Sequence, residues 1–102
     1  MKHYDKLVRD RIPEIIMREG GKPTFHRVNG EELKEYVRAK ILEEANEFEQ
    51  SRKIEELVDL LETIFFYCRL EKTSWDEMNA KLHKKRAERG GFEGGVILDR
   101  VE

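Results

Sequence analysis

Four acidic side chains occupy helical positions whose neighbours are apolar. On a wheel of about 100° per residue, Glu44 and Glu47 fall inside or at the edge of the apolar sector of one predicted helix. That sector is formed by Leu33, Val37, Ile41 and Phe48. The next predicted helix is apolar almost all round, and its Glu56 and Asp59 point between apolar positions rather than along the solvent stripe. A carboxylate on a buried face is costly unless it is paired or binds a metal, so these four positions require a partner.

The spacing of these acids predicts a shared cation site. Two antiparallel helices joined by a short turn at Ser51 would bring the two acidic pairs opposite each other. Four converging carboxylates repel one another unless cations lie between them, and oxygen-only ligands select hard ions such as Mg²⁺ or Mn²⁺. The competing interpretation is that the acids form structural ion pairs with Lys40, Lys85 or Arg89.

A later predicted helix carries a stripe that changes from apolar to basic. Trp75, Met78 and Leu82 share one face, and the same face continues as Lys85 and Arg89. We therefore expect these two cations to point inward, at the acids or at their ligand. The alternative is that basic residues near the end of this helix simply complement its dipole.

The elements that must position these residues are four helices. We predict them over about residues 11–19, 30–50 and 52–70, and from a capping box at Ser74 and Glu77 to a stop at Gly90. The other predicted N-caps are Asp10, Asn29 and Ser51. Residues 24–28 and 96–98 are candidates for two short paired strands. The expected fold class is all-α, a bundle of about four helices completed by oligomerisation.

Length and composition agree with a single helical domain over residues 1–102. Charged residues make up 41% of the 102-residue chain and hydrophobic residues 38%, against a charged share of roughly 25% in typical domains. Only strongly amphipathic elements bury enough apolar surface at this composition. Apolar Leu42 and Phe66 stand on the outer faces of their helices, which favours self-association.

Charge, cysteine content and hydropathy argue against a nucleic-acid-binding protein, a disulfide-bonded protein and a membrane protein. The net charge of −2 conceals an acidic stretch at residues 31–62, with eleven acids against five bases, and a basic stretch at residues 81–89, with five bases against one acid. This balance disfavours a nucleic-acid binder. The single cysteine, Cys68, excludes an intramolecular disulfide. With no apolar run of membrane-spanning length and no signal-peptide pattern, we expect a soluble, cytoplasmic protein without membrane partners.

Four segments also resemble a known family. Residues 43–47 read EEANE and residues 56–59 read ELVD, which resemble the EExxE and ExxD motifs of the all-α nucleoside triphosphate pyrophosphohydrolases, the MazG-like superfamily that includes phosphoribosyl-ATP pyrophosphohydrolase. Residues 85–92 read KRAERGGF and resemble the KxxxRGGF ending of one branch. Residues 4–13 read YDKLVRDRIP and resemble the YDKLVRDKIP start of the same branch.

The resemblance implies metal-dependent hydrolysis between the α and β phosphates of a nucleoside triphosphate, giving a monophosphate and pyrophosphate. It implies that the magnesium ligands are Glu44, Glu47, Glu56 and Asp59. Glu43 and Glu47 are the candidate catalytic groups, since a carboxylate not fully used as a ligand can accept the proton of the attacking water. By motif position, Lys85 and Arg89 lie near the substrate phosphates. Members of the family form dimers or tetramers, so a homodimer or homotetramer is expected.

The predicted function is therefore Mg²⁺-dependent nucleoside triphosphate pyrophosphohydrolysis, with removal of non-standard nucleotides as one use. Two alternatives are phosphoribosyl-ATP pyrophosphohydrolysis and a non-catalytic module that binds nucleotide or metal. A P-loop mechanism is excluded because the chain has no GxxxxGK[ST] motif.

Overall fold

The protein is all-helical, as predicted. The computed structural model describes residues 2–102, and its helices are α1 (Ile12–Arg18), α2 (Gly30–Ser51), α3 (Glu55–Leu70) and α4 (Trp75–Arg89). Within the described chain, no helix combines the length and the apolar composition that a bilayer crossing needs.

The beginning and end of α4 follow the predicted capping chemistry. The Ser74 hydroxyl oxygen accepts the backbone N–H of Glu77 at 3.1 Å, and the helix stops at Gly90, whose φ of 83° favours glycine. The predicted cap at Asp10 is wrong, because the cap position of α1 is Arg11. Asn29 occupies the cap position of α2, as predicted, but its side chain makes no capping hydrogen bond.

The connection between α2 and α3 differs from the predicted cap at Ser51. Ser51 is the last residue of α2, and its hydroxyl oxygen accepts the backbone N–H of Lys53 at 3.2 Å inside the turn. Arg52 adopts a left-handed conformation with a φ of 60°, and α3 begins at Glu55 after the cap position Ile54. The serine hydroxyl therefore stabilises the reversal of the chain rather than the start of α3.

The two predicted strands are absent from residues 2–102. Residues 24–28 and 96–98 are irregular and largely exposed. A two-stranded ribbon is marginal in water without an apolar layer against it, and neither segment has such cover here.

The helical hairpin of α2 and α3 forms the core. Lys34 near the start of α2 pairs with Glu71 just after α3 at 3.0 Å, and Arg38 donates to the Tyr67 hydroxyl one turn further along at 3.0 Å. These contacts show that the two helices run antiparallel. Val37, in the first half of α2, is completely buried.

The molecule is more elongated than its length predicts for a compact domain. Its radius of gyration is 17.9 Å and its dimensions are 56 × 31 × 26 Å, whereas a globular chain of this length has a radius of about 13 Å. At the junction of α3 and α4, the Trp75 ring packs edge-to-face on Phe65 with centroids 5.1 Å apart. Much apolar surface therefore remains uncovered in the single chain.

One face at the start of α3 carries part of this uncovered surface. Ile54, Val58 and Leu61, which we call the α3 face, recur at intervals of four and three residues and are all at least half exposed. On α2, Leu42 is also exposed, as its outer position predicts. Phe66 is partly buried instead, with the Arg69 guanidinium 5.6 Å from its ring centroid.

Candidate metal centre

Glu44 is an acidic side chain buried inside the hairpin. Only 5% of its surface is exposed, because its position on α2 directs it toward α3. Lys40, one turn earlier, lies 3.2 Å from its Oε1. Its Oε2 is buried and accepts no hydrogen bond from any of residues 2–102. A buried carboxylate oxygen without a partner is unfavourable, and a cation bound there would satisfy it.

Two carboxylates of α3 converge on Glu44. Glu56 and Asp59, one turn apart, are partly buried, and each offers an oxygen that lies within 4.8 Å of the others and of one from Glu44. Oxygens that share one ion at roughly 2.1–2.5 Å lie no more than about 5 Å apart, so the spacing suits a single hard cation. The structure thus brings together three of the four predicted ligands, and the unpartnered Oε2 is the observation that fits a bound ion.

Glu47, the fourth predicted ligand, lies at the rim of this cluster. It is exposed, one turn of α2 beyond Glu44. Loss of solvation raises the pKa of Glu47, and the negative charges of Glu44 and Glu43 raise it further. Glu47 therefore binds a proton more readily than an ordinary glutamate does, which is the direction a general base requires.

Glu43, the other candidate catalytic group, has a different environment. Its carboxylate lies 2.9 Å from the Lys6 ammonium and 3.7 Å from that of Lys40. Partial burial acts to raise the pKa of Glu43, but the hydrogen bond from Lys6 and the charge of Lys40 lower it overall. Glu43 is held in its ionised form, so of the two candidates Glu47 has the more suitable environment for accepting a proton.

The chain before α1 contributes two cations that the sequence did not assign to the site. Lys6 donates to Glu43 at 2.9 Å, and Arg9 donates to Asp59 at 2.8 Å. Both residues lie in the stretch that resembles the family's opening motif, and this was the only signal in the sequence. Their contacts join positions 37 and 50 residues apart, which no helical periodicity reveals.

The two cations predicted from α4 lie elsewhere. Lys85 and Arg89 are exposed, and neither forms an ion pair with any acid in the part of the chain that the structure describes. Their predicted inward orientation is wrong for the single chain, because α4 extends away from the hairpin instead of folding back along it. Their assignment to substrate phosphates stays a prediction. The competing interpretation of the acids as ion pairs holds for Lys40 with Glu44 and not for these two residues.

Comparison with known proteins gives no further assignment. No family model, no curated protein and no solved structure matches this chain. The resemblance to the family therefore rests on the four motifs alone.

The substitution Glu56→Gln separates a metal site from a structural ion-pair network. Glu56 faces two other carboxylates, so removing its charge relieves repulsion and is expected to leave the metal-free protein equally or more stable. The matched control is Glu55→Gln, because both residues lie in the first turn of α3 and lose the same interaction with the helix dipole. Thermal unfolding in the presence of a chelator gives the comparison. If the free energy of unfolding of Glu56→Gln is lower than that of the control by several kcal/mol, the ion-pair interpretation is favoured.

Proposed function

We propose that this protein is a divalent-metal-dependent nucleoside triphosphate pyrophosphohydrolase that yields a nucleoside monophosphate and pyrophosphate. The observation that carries the proposal is the buried, unpartnered Oε2 of Glu44 beside the carboxylates of Glu56 and Asp59. These residues belong to the two acidic motifs by which the sequence resembles the family. Packing alone does not explain why a carboxylate is buried at Glu44. An apolar residue of similar size would fill the same space without the cost of removing a carboxylate from water.

The donor set suits Mg²⁺ or Mn²⁺. Glu44, Glu56 and Asp59 would hold the ion, with Glu47 available at the rim. All the donors are carboxylate oxygens, which hard divalent cations prefer. When bound, the ion would neutralise negative charge on the phosphates and lower the pKa of a coordinated water.

The protein's own groups divide the remaining tasks of the reaction. The attacking water forms a bond to the α phosphorus, the bond from the α phosphorus to the α–β bridging oxygen breaks, and pyrophosphate departs. Glu47 accepts the proton of that water, a role its raised pKa supports. Glu43, held ionised by Lys6 and Lys40, keeps the rim of the site ordered.

Hydrolysis at this position has a distinctive product pattern. In a screen of standard and non-standard nucleoside triphosphates and phosphoribosyl-ATP with Mg²⁺, at least one substrate is expected to give monophosphate and pyrophosphate in equal amounts. Glu56→Gln is expected to reduce kcat/KM by about a hundredfold or more, since ligand loss removes several kcal/mol of transition-state stabilisation. Glu55→Gln should retain activity. Nucleotide binding without turnover would indicate a binding module, and release of orthophosphate with a diphosphate would contradict the proposed bond cleavage.

We further propose that the protein works as a homodimer or homotetramer. The α3 face exposes three large apolar side chains, one at the cap position of α3 and two within the helix, and Val58 is 61% exposed. An elongated single chain with such a face resembles one half of a larger helical bundle. A second copy packing on the α3 face would supply the missing layer.

The α3 face is tested by placing a charge in it. Light scattering at low micromolar concentration is expected to show at least a dimer for the wild type. Leu61→Glu should raise the dissociation constant by about tenfold or more, because burial of a leucine is worth roughly 1.5–3 kcal/mol. Leu98→Glu in the exposed tail is the matched control and should leave the assembly intact. A wild type that is monomeric and active would overturn this proposal.

A further inference from the structure

The segment that precedes α1 is attached to both helices of the core. The Tyr36 hydroxyl of α2 donates to Asp5 at 2.6 Å. Lys6 donates to Glu43 of α2, and Arg9 donates to Asp59 of α3. The segment of residues 5–9, which we call the N-terminal strap, therefore contacts Asp59 of the acidic cluster and Glu43 beside it. We call this side of the cluster its mouth.

The backbone of the N-terminal strap is specifically shaped at its first contact. Asp5 has a φ of 43°, in the left-handed region that residues other than glycine seldom adopt. The side chain of the same residue accepts the hydrogen bond from Tyr36, so the turn and the contact with α2 occur together. The turn at Asp5 precedes Lys6, whose ammonium reaches Glu43.

The charge balance of the cluster shows why the strap's cations matter. Five carboxylates gather at or beside the site: Glu43, Glu44, Glu47, Glu56 and Asp59. Among residues 2–102, the cations that pair with them are Lys6, Arg9 and Lys40, and two of these three come from the strap. Without the two cations of the strap the cluster would carry four more negative than positive charges, and a bound divalent ion would offset only half of them, so that a polyphosphate anion would be repelled.

The strap's cations are accessible to a ligand, whereas Lys40 is not. The side chains of Lys6 and Arg9 are 39% and 54% exposed, against 17% for Lys40. Glu43 keeps Lys40 as a partner if Lys6 turns away, so Lys6 is free to bind another anion. The Arg9 guanidinium carries five N–H donors, and its hydrogen bond to Asp59 uses one of them.

We propose that Lys6 and Arg9 of the N-terminal strap bind the phosphates of the substrate at the mouth of the Glu44, Glu56 and Asp59 cluster. This inference rests on the proposed function, which supplies the polyphosphate substrate. It assigns to the strap, within one chain, the phosphate-binding task that the sequence analysis gave to α4. Arg9 contacts Asp59 through Oδ1, and a carboxylate has lone pairs for a metal ion beside such a hydrogen bond.

The test measures phosphate binding separately from metal binding. Calorimetry first titrates Mn²⁺ alone into the protein, and then titrates inorganic pyrophosphate into the Mn²⁺-loaded protein. Lys6→Met and Arg9→Met keep the apolar part of the side chain and remove the charge. Each is expected to weaken pyrophosphate binding on the order of ten- to a hundredfold, the value of a charge-assisted hydrogen bond, while Mn²⁺ binding stays equal or becomes tighter.

The matched control is Lys34→Met. Lys34 also joins the two core helices through an ion pair, with Glu71 at 3.0 Å, but this pair lies at the other end of the hairpin. Lys34→Met should change neither the titration with Mn²⁺ nor the titration with pyrophosphate. Lys6→Arg and Arg9→Lys should retain most of the pyrophosphate affinity, which a purely structural role of the strap would not require.

Each outcome either supports or overturns the inference. A wild type that binds no Mn²⁺ contradicts the metal centre, and the strap proposal fails with it. A wild type that binds Mn²⁺ but not pyrophosphate, or variants that bind pyrophosphate as the wild type does, overturn the strap proposal and leave the metal centre standing. Weaker pyrophosphate binding accompanied by a drop in thermal stability beyond that of Lys34→Met indicates a structural strap and also overturns it.

Discussion

The constraint on which the rest of the structure depends is the burial of the Glu44 carboxylate between two helices. One of its oxygens has Lys40, and the other has no partner among the described residues. The hairpin then brings Glu56 and Asp59 close to the Glu44 carboxylate, which adds like-charge repulsion to desolvation. A fold that tolerates this arrangement must recover the energy elsewhere, and the divalent cation that we propose would do so by replacing both penalties with ligand bonds.

The geometry of the hairpin agrees with the burial of Glu44 between α2 and α3. The left-handed Arg52 reverses the chain directly after α2, so that the acids of α3 return opposite Glu44. The ion pair of Lys34 with Glu71 joins the two helices at the other end of the hairpin. The N-terminal strap adds positive charge at the mouth of the cluster. The α3 face, by contrast, remains open in a single chain and is the surface on which a second copy would complete the core.

Helical periodicity accounts for what could be predicted. The wheel of α2 places Glu44 among apolar residues, and the structure buries it there. Where local patterns are ambiguous, prediction failed: Ser51 suits a helix cap and a turn equally well, and the structure uses it in the turn. The orientation of Lys85 depends on where α4 packs, which its own stripe does not determine. Lys6 was missed because its contact with Glu43 spans 37 residues from an irregular segment without periodicity.

The most direct test of the metal centre is the binding of Mn²⁺ to the wild type and to Glu44→Gln, measured by calorimetry with Mg²⁺ as competitor. Glu49→Gln, on the exposed side of the same helix, is the control. The account predicts saturable binding by the wild type and the control, displaced by Mg²⁺, and a loss of affinity of about tenfold or more in Glu44→Gln. Absence of saturable binding by the wild type, or equal affinity in Glu44→Gln, would contradict it.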